Sequence, residues 1–220
     1  MNPKQLVGEE AAKYVKNGMV IGLGTGSTAF FAIQKIGELV KNGLQIKGVP
    51  TSKATEELAK SLNIPLLAIE DVKRIDVTID GADEFDPQKN LIKGGGAALL
   101  REKIIASVTD FYVIIADAAK GSEVLGSFAV PVEITPFAKE ITMAQLKALG
   151  CQPVLRVKDG QAVVTDNQNY IADCKFERID EPAKLAAKMN AIPGVVENGI
   201  FAGMANVVIS EDGNGGLLSL

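Results

Sequence analysis

The sequence predicts an α/β fold: a Rossmann-like parallel sheet with helices on both faces, plus an inserted, smaller ferredoxin-like α+β domain. Three observations predict it. Near-continuous apolar runs such as MVIGLG (19–24), IDVTID (75–80) and FYVIIAD (111–117) read as strands buried on both faces. They alternate with helix-length amphipathic segments, the order of a parallel sheet covered on both sides. After Gly126 the order becomes β-α-β-β-α-β once one extra short strand is set aside, and that order is ferredoxin-like. The expected division is a main α/β domain over 1–127 with 201–220 and an inserted α+β domain over 128–200.

Asn2-Pro3, a capping residue with proline at the first helical position, opens a helix expected to end near Asn17-Gly18. MVIGLG then enters a glycine-rich turn. A second helix runs from about Thr28 to Asn42-Gly43, with Phe31, Ile33, Ile36 and Val40 as its apolar face. Next come a strand at 45–49, a helix from Ser52 through Leu62, a short strand near 65–68 and IDVTID. A helix over about 97–108 precedes FYVIIAD. The insert reads as VPVEITP, a helix at 137–149, CQPVLRV, a turn at Lys158-Asp159-Gly160, AVVT, YIADCKFE, a helix at 181–190 and VVENGIFA. ANVVIS (205–210) is expected to rejoin the first sheet.

With 220 residues, 47% apolar and 23% charged, the chain has the composition of a globular protein with a full core. Its 23 basic and 27 acidic residues leave a net charge of −4, and no Lys/Arg cluster provides a nucleic-acid footprint. The longest apolar runs are about half of what a bilayer demands. MNPKQLVGEEAAKYV carries acids where a signal peptide has its apolar region, so the expected location is cytoplasmic. Cys151 and Cys174 belong to no CxxC or His/Cys cluster and are expected as buried thiols in strands, without zinc or a disulfide framework. There is no histidine. That removes Ser-His-Asp and Cys-His nucleophile systems and imidazole metal sites, and leaves acid–base work to Asp, Glu, Lys or Tyr.

Four stretches can carry chemistry. GLGTGST (22–28) joins a strand to a helix, where amides of Thr25, Gly26, Ser27 and Thr28 and two hydroxyls favour an anion, best a single phosphate. Residues 24–29 also satisfy G-x-G-x-x-A, but no acid lies within 39–55 to bind a ribose 2′-hydroxyl; Lys53 leaves NADP open. DGADEFD (80–86) puts Asp80, Gly81, Ala82 and Asp83 at the carboxyl end of a strand, where ligands of open α/β sheets bind; the alternative is an Asp-Gly turn with solvated acids. Lys93-Gly94-Gly95-Gly96 opens a helix, and three glycines suit a backbone that approaches a ligand and stabilises an oxyanion. Within that helix Arg101 is almost as enclosed by apolar neighbours as Glu102, yet only Glu102 can accept a proton near neutral pH; the alternative is an ordinary surface acid. Lys120 follows FYVIIAD at another strand's carboxyl end.

GLGTGST, DGADEFD, LIKGGGAALLREKIIA and ADAAK, in this order and spacing, closely resemble ribose-5-phosphate isomerase of type A. VVTDNQN (163–169) and AIPGVVENGIFA (191–202) extend the likeness over nearly the whole chain. The resemblance implies interconversion of ribose 5-phosphate and ribulose 5-phosphate by a homodimer with no metal or organic cofactor. It implies Glu102 as the base, with Asp80, Asp83 and Lys93 around the sugar, and Thr25 to Thr28 and Lys120 in substrate binding. Gly203-Met204-Ala205-Asn206 departs from the more polar run the family leads one to expect. A sugar-phosphate sensor would share the phosphate loop without needing Glu102. An amino-sugar-phosphate deaminase or a CoA transferase on this fold would need other catalytic residues.

Overall fold

The computed structural model describes residues 2–212 and 216–220. The chain forms two compact units: Met1–Ala82 with Arg101–Lys120 and Met204–Leu220, and Asp83–Leu100 with Gly121–Gly203. Residues 83–100 thus group with the second unit, whereas 1–127 was expected as one stretch.

In the first unit the elements are α1 (Pro3–Ala12), β1 (Val20–Leu23), α2 (Ser27–Lys41), β2 (Lys47–Pro50), α3 (Lys53–Ser61) and β3 (Ile75–Gly81). β4 (Glu84–Phe85) and β5 (Leu91–Ile92) belong to the second unit. α4 (Leu99–Ser107) changes unit after Leu100 and leads into β6 (Thr109–Ala116). The second unit continues with β7 (Val130–Ile134), α5 (Lys139–Lys147), β8 (Gln152–Leu155), β9 (Val157–Lys158), β10 (Gln161–Ala162), β11 (Tyr170–Lys175), α6 (Pro182–Asn190), β12 (Val195–Asn198) and β13 (Ile200–Phe201). β14 (Val207–Glu211) and β15 (Leu217–Ser219) close the first.

The first unit's sheet has the order β15-β14-β6-β3-β1-β2, parallel except for β15 at the edge. From β1 the chain steps to β2 on one side and then to β3 on the other. The carboxyl ends of β1 and β3 are therefore a topological switch point, where crevices of open sheets receive ligands. Val7 and Ala11 of α1 and Ala32, Ile33 and Ile36 of α2 bury against Ile21, Leu23, Val77, Ile79, Val113 and Ile115. Each such isoleucine, leucine or valine contributes about 1.5–3 kcal/mol. Ile105 of α4 packs in a separate cluster with Val49 and Ile75.

In the second unit β12-β7-β11-β8 form an antiparallel sheet, the βαββαβ order expected of a ferredoxin-like domain. Val130, Val132, Ile134, Leu146, Ala172 and Met189 make its core. β13-β5-β4 is a separate small sheet, and β9-β10 is a hairpin.

Three expectations need correction. α1 ends at Ala12 instead of near Asn17: Val15 is buried and the Tyr14 ring stacks on Phe111 at 5.5 Å, and that packing overrides helix propensity. The strand near 65–68 is a single bridge, Leu66 to Gly48, because Pro65 has no N–H to give and the chain turns into a 3₁₀ helix at Ile69. Cys174 lies in β11 as expected, but Cys151 precedes β8; both are buried and free. Among the described residues no helix is long and apolar enough to cross a membrane.

Candidate active site

In the first unit, the turn after β1 is built around Gly24. Its N–H donates to Ile79 O at 2.9 Å, and a Cβ there would meet Asp80 Oδ1 at 2.4 Å and Ile79 O at 2.5 Å. Only glycine lets the loop lie this close to the end of β3. The approach brings Thr25 N–H to Asp80 Oδ1 (3.0 Å), which also accepts from Gly81 N–H (2.8 Å). Asp80 Oδ2 accepts from the Tyr112 hydroxyl at 3.1 Å. Asp80 is fully buried, so these donors take the place of water on a carboxylate that would otherwise be costly to enclose. The Thr25 hydroxyl belongs to a cluster with those of Thr51 (2.7 Å), Ser52 (2.9 Å) and Thr55 (3.1 Å).

Gly26, at φ 110°, caps α2 without any side-chain bond to the first turn. The helix start therefore keeps its attraction for an anion. Ser27 Oγ accepts from Lys4 Nζ at 2.9 Å. Thr28 is buried, and its hydroxyl has no hydrogen-bond partner among the described residues, the position of a donor waiting for an acceptor. Beside the loop a cleft of about 310 Å³ is bounded by Thr25, Gly26, Phe30 and Leu58. Lys120 Nζ donates to Ala82 O at 2.6 Å, which fixes the peptide that follows Ala82.

Burial separates Glu102 from Arg101: Glu102 is only 4% exposed and Arg101 half-buried. Burial raises the Tyr112 phenol well above its ordinary range, and the charges of Asp80 and Glu102 and the bond to Asp80 raise it further. Tyr112 thus remains a donor at neutral pH, with both carboxylates in its field. Asn206, from the run that departs from the expected polar pattern, holds the Tyr112 backbone through Oδ1 to Tyr112 N–H (2.6 Å) and N–H to Tyr112 O (2.9 Å).

In the second unit, Lys93 follows β5. Its N–H donates to Gly199 O at 2.8 Å, and its buried ammonium lies 5.5 Å from the centroid of the Phe201 ring, within cation–π range. Asp83 N–H donates to Ile92 O (2.8 Å), and its Oδ2 accepts from Gly95 N–H (2.7 Å). Gly94 has φ 107°, and a Cβ there would meet Leu99 Cδ2 at 2.8 Å, so the turn demands glycine on both counts. Ala97 N–H closes that turn on Gly94 O at 2.9 Å. Glu84, adjacent to Asp83 and only 1% exposed, accepts from the N–H groups of Gly126, Ser127 and Phe128 and the Ser127 hydroxyl at 2.7–3.2 Å. Burial pushes the Glu84 carboxyl up, but the Phe128 N–H, the Ser127 and Ser122 hydroxyls and the Gly126 N–H together hold it below the ordinary glutamate range.

Asp80, Gly81, Ala82, Glu102, Lys120 and the 25–28 loop therefore lie in the first unit, and Asp83, Lys93 and Gly94 to Gly96 in the second. Tyr112, Glu84 and the hydroxyls of Thr51, Ser52 and Thr55 were not anticipated. The run TSKAT at the end of the second strand was the one available signal, since hydroxyls gathered at a strand's carboxyl end suit a polar site. Tyr112 and Glu84 lie in apolar or acidic runs that give no such sign.

The model of the family described as ribose 5-phosphate isomerase A (phosphoriboisomerase A) matches residues 47–215. Ribose-5-phosphate isomerase A of Bacillus cereus is 52% identical over 216 residues, 98% of each chain. The solved ribose 5-phosphate isomerase of Plasmodium falciparum superposes with a TM-score of 0.95 at 40% identity, over 99% of this chain and 97% of that one. A D-ribose-5-phosphate isomerase solved with phospho-erythronic acid gives 0.94 at 42% identity, over 100% and 99%. With the switch-point loop, the buried carboxylates and the glycine turn all carried by a sequence so closely matched along its length, the chain belongs to the ribose 5-phosphate isomerase A family.

Proposed function

We propose that this chain interconverts D-ribose 5-phosphate and D-ribulose 5-phosphate by carboxylate-catalysed proton transfer through an enediolate, with Glu102 as the base. The observation that carries the mechanism is the enclosed Glu102 carboxylate in a chain without histidine, in a family whose members bear the isomerase name. Glu102 takes the proton from C2 of the open-chain aldose and returns it to C1, so no redox agent is consumed. Lys93 and the glycine turn of Gly94, Gly95 and Gly96, whose Gly95 amide is engaged by Asp83, stabilise the negative charge that develops on O1 and O2. Asp80, Asp83 and Lys93 supply the acid–base groups for opening the furanose ring and exchanging a proton between O1 and O2. Thr25, Gly26, Ser27 and Thr28 hold the phosphate, with Gly81, Ala82 and Lys120 lining the sugar. Phospho-erythronic acid, bound in one relative, pairs a phosphate with a planar carboxylate of the enediolate's shape and charge, which supports this division of labour.

No metal or organic cofactor enters this reading. A homodimer in the cytoplasm completes it. The free, buried thiols fit a reducing compartment. Phe137, Val154 and Val157, 88%, 64% and 60% exposed in the monomer, offer apolar surface for a second copy.

Incubation with ribose 5-phosphate in D₂O, followed by NMR, tests the function. Ribulose 5-phosphate should accumulate, with some deuterium at C1 from exchange on the base. Saturable binding without turnover would make the protein a sugar-phosphate sensor.

A further inference from the structure

We propose that Arg156, more than fifty residues away in sequence from Glu102, Lys93 and Gly94 to Gly96, is a positioning residue for the glycine turn. The inference rests on the reading that the 94–96 turn faces the reacting end of the sugar phosphate. The peptide unit joining Gly94 to Gly95 is held at both ends. Its carbonyl accepts from Arg156 Nη1 at 2.8 Å, and its N–H donates to Asp83 Oδ2 at 2.7 Å. The next carbonyl, Gly95 O, accepts from the same Nη1 at 3.0 Å. A trans peptide points its C=O and N–H in opposite directions, so the Gly96 N–H is turned away from Arg156.

The guanidinium is itself clamped. Nε donates to Asp173 Oδ2 at 2.9 Å and Nη2 to Asp173 Oδ1, a forked ion pair with side chains 17% and 27% exposed. The Arg156 backbone is pinned by its N–H to Ile171 O (2.8 Å) and its carbonyl to Val163 N–H (2.9 Å). Asp173, Arg156, the 94–95 peptide and Asp83 thus form one polarised chain, in which each bond strengthens the next.

Glycine peptides flip easily, and a flipped plane would aim a carbonyl where a donor is needed. Two guanidinium bonds on successive carbonyls remove that freedom. Lysine cannot reproduce the fork that grips Asp173 while reaching both carbonyls. Arg156 therefore acts through Gly95, Gly96 and Asp83 without touching substrate.

The test uses full-length Arg156→Met, close in length and apolar, with steady-state kinetics and binding of two probes, phospho-erythronic acid and inorganic phosphate. The expected result is a fall in kcat of about 10- to 100-fold, the scale of a small misplacement of catalytic groups. Phospho-erythronic acid should weaken by a similar factor while inorganic phosphate binds as before, and Arg156→Lys should recover part of kcat. Asp173→Asn, which keeps the guanidinium but loosens its anchor, should lose about 3- to 10-fold and serves if the methionine variant does not fold. Wild-type kcat and phospho-erythronic acid affinity, or a parallel loss of phosphate binding, would overturn the role. Glu102→Gln in the same assays separates the failures. An inactive glutamine variant beside an unimpaired methionine variant overturns the role of Arg156 alone, whereas two unimpaired variants also overturn the isomerase mechanism.

Discussion

Tyr112 shows how a single residue sets up the proposed chemistry. Its hydroxyl is one of the donors that make a fully buried Asp80 tolerable, and its raised pKa keeps it a donor throughout the neutral range. Tyr112→Phe removes that donor and leaves the ring packing intact. It should cost kcat/KM about 5- to 30-fold, the equivalent of 1–2 kcal/mol for a buried acceptor that loses a partner. Steady-state kinetics on the folded variant check this; unchanged kcat/KM would take Asp80 out of the reaction. The Thr28 hydroxyl, without a hydrogen-bond partner among the described residues, makes a parallel statement about the phosphate. Binding energy from a remote group is used to orient the reacting end, so free ribose should be a poorer substrate than ribose 5-phosphate by well over an order of magnitude in kcat/KM. Comparable values would remove the phosphate from the 25–28 loop.

At the scale of elements, the strand-to-loop junctions carry both the site and part of the stability. Glu84 in β4 gathers the amides of 126–128 onto one carboxylate. Its folded pKa lies below the ordinary value of about 4.3, so its stabilisation is complete above that value and is lost as pH falls through the folded pKa. Glu84→Gln should therefore lower stability by roughly 1–3 kcal/mol at pH 7, and denaturant titrations should show the gap to wild type closing below about pH 4. A gap that stays constant to pH 3 would contradict the assignment. The same junctions explain what the sequence could reveal. Continuous apolar runs made β1, β3 and β6 legible, and Asn2-Pro3 made the start of α1 legible. The glycine loops pointed to Thr25 to Thr28 and to Gly94 to Gly96, because few other uses exist for such residues between a strand and a helix. The two-residue strands β4, β5 and β13 were not legible, since they are too short for a period to show. The end of α1 depends on where Tyr14 finds Phe111, a contact across nearly a hundred residues. Arg156 reads as one more basic residue on a strand until Asp173 and the Gly94 carbonyl are brought to it by β11 and the glycine turn.

For the whole molecule, the proposed mechanism asks for no exogenous group and no thiol. Activity should survive dialysis against EDTA and treatment with iodoacetamide under native conditions. Cys151 and Cys174 are 1% and 0% exposed, and the neighbouring Cys151 sulfur together with burial holds the Cys174 thiol above its ordinary range. Loss of activity that magnesium restores would instead make Asp80 and Asp83 metal ligands and reduce the part given to Lys93. Sedimentation equilibrium should give about twice the 23.2 kDa of one chain; a monomer that is fully active would remove the homodimer from the proposal. The most direct measurement concerns the base itself. Glu102→Gln keeps size and shape while removing the ability to take a proton. It should bind phospho-erythronic acid with an affinity near that of the wild type and lose about 10²–10⁴-fold in kcat, the usual effect of a positioned base. A glutamine variant that keeps more than about a tenth of wild-type kcat would show that another group takes the proton from C2.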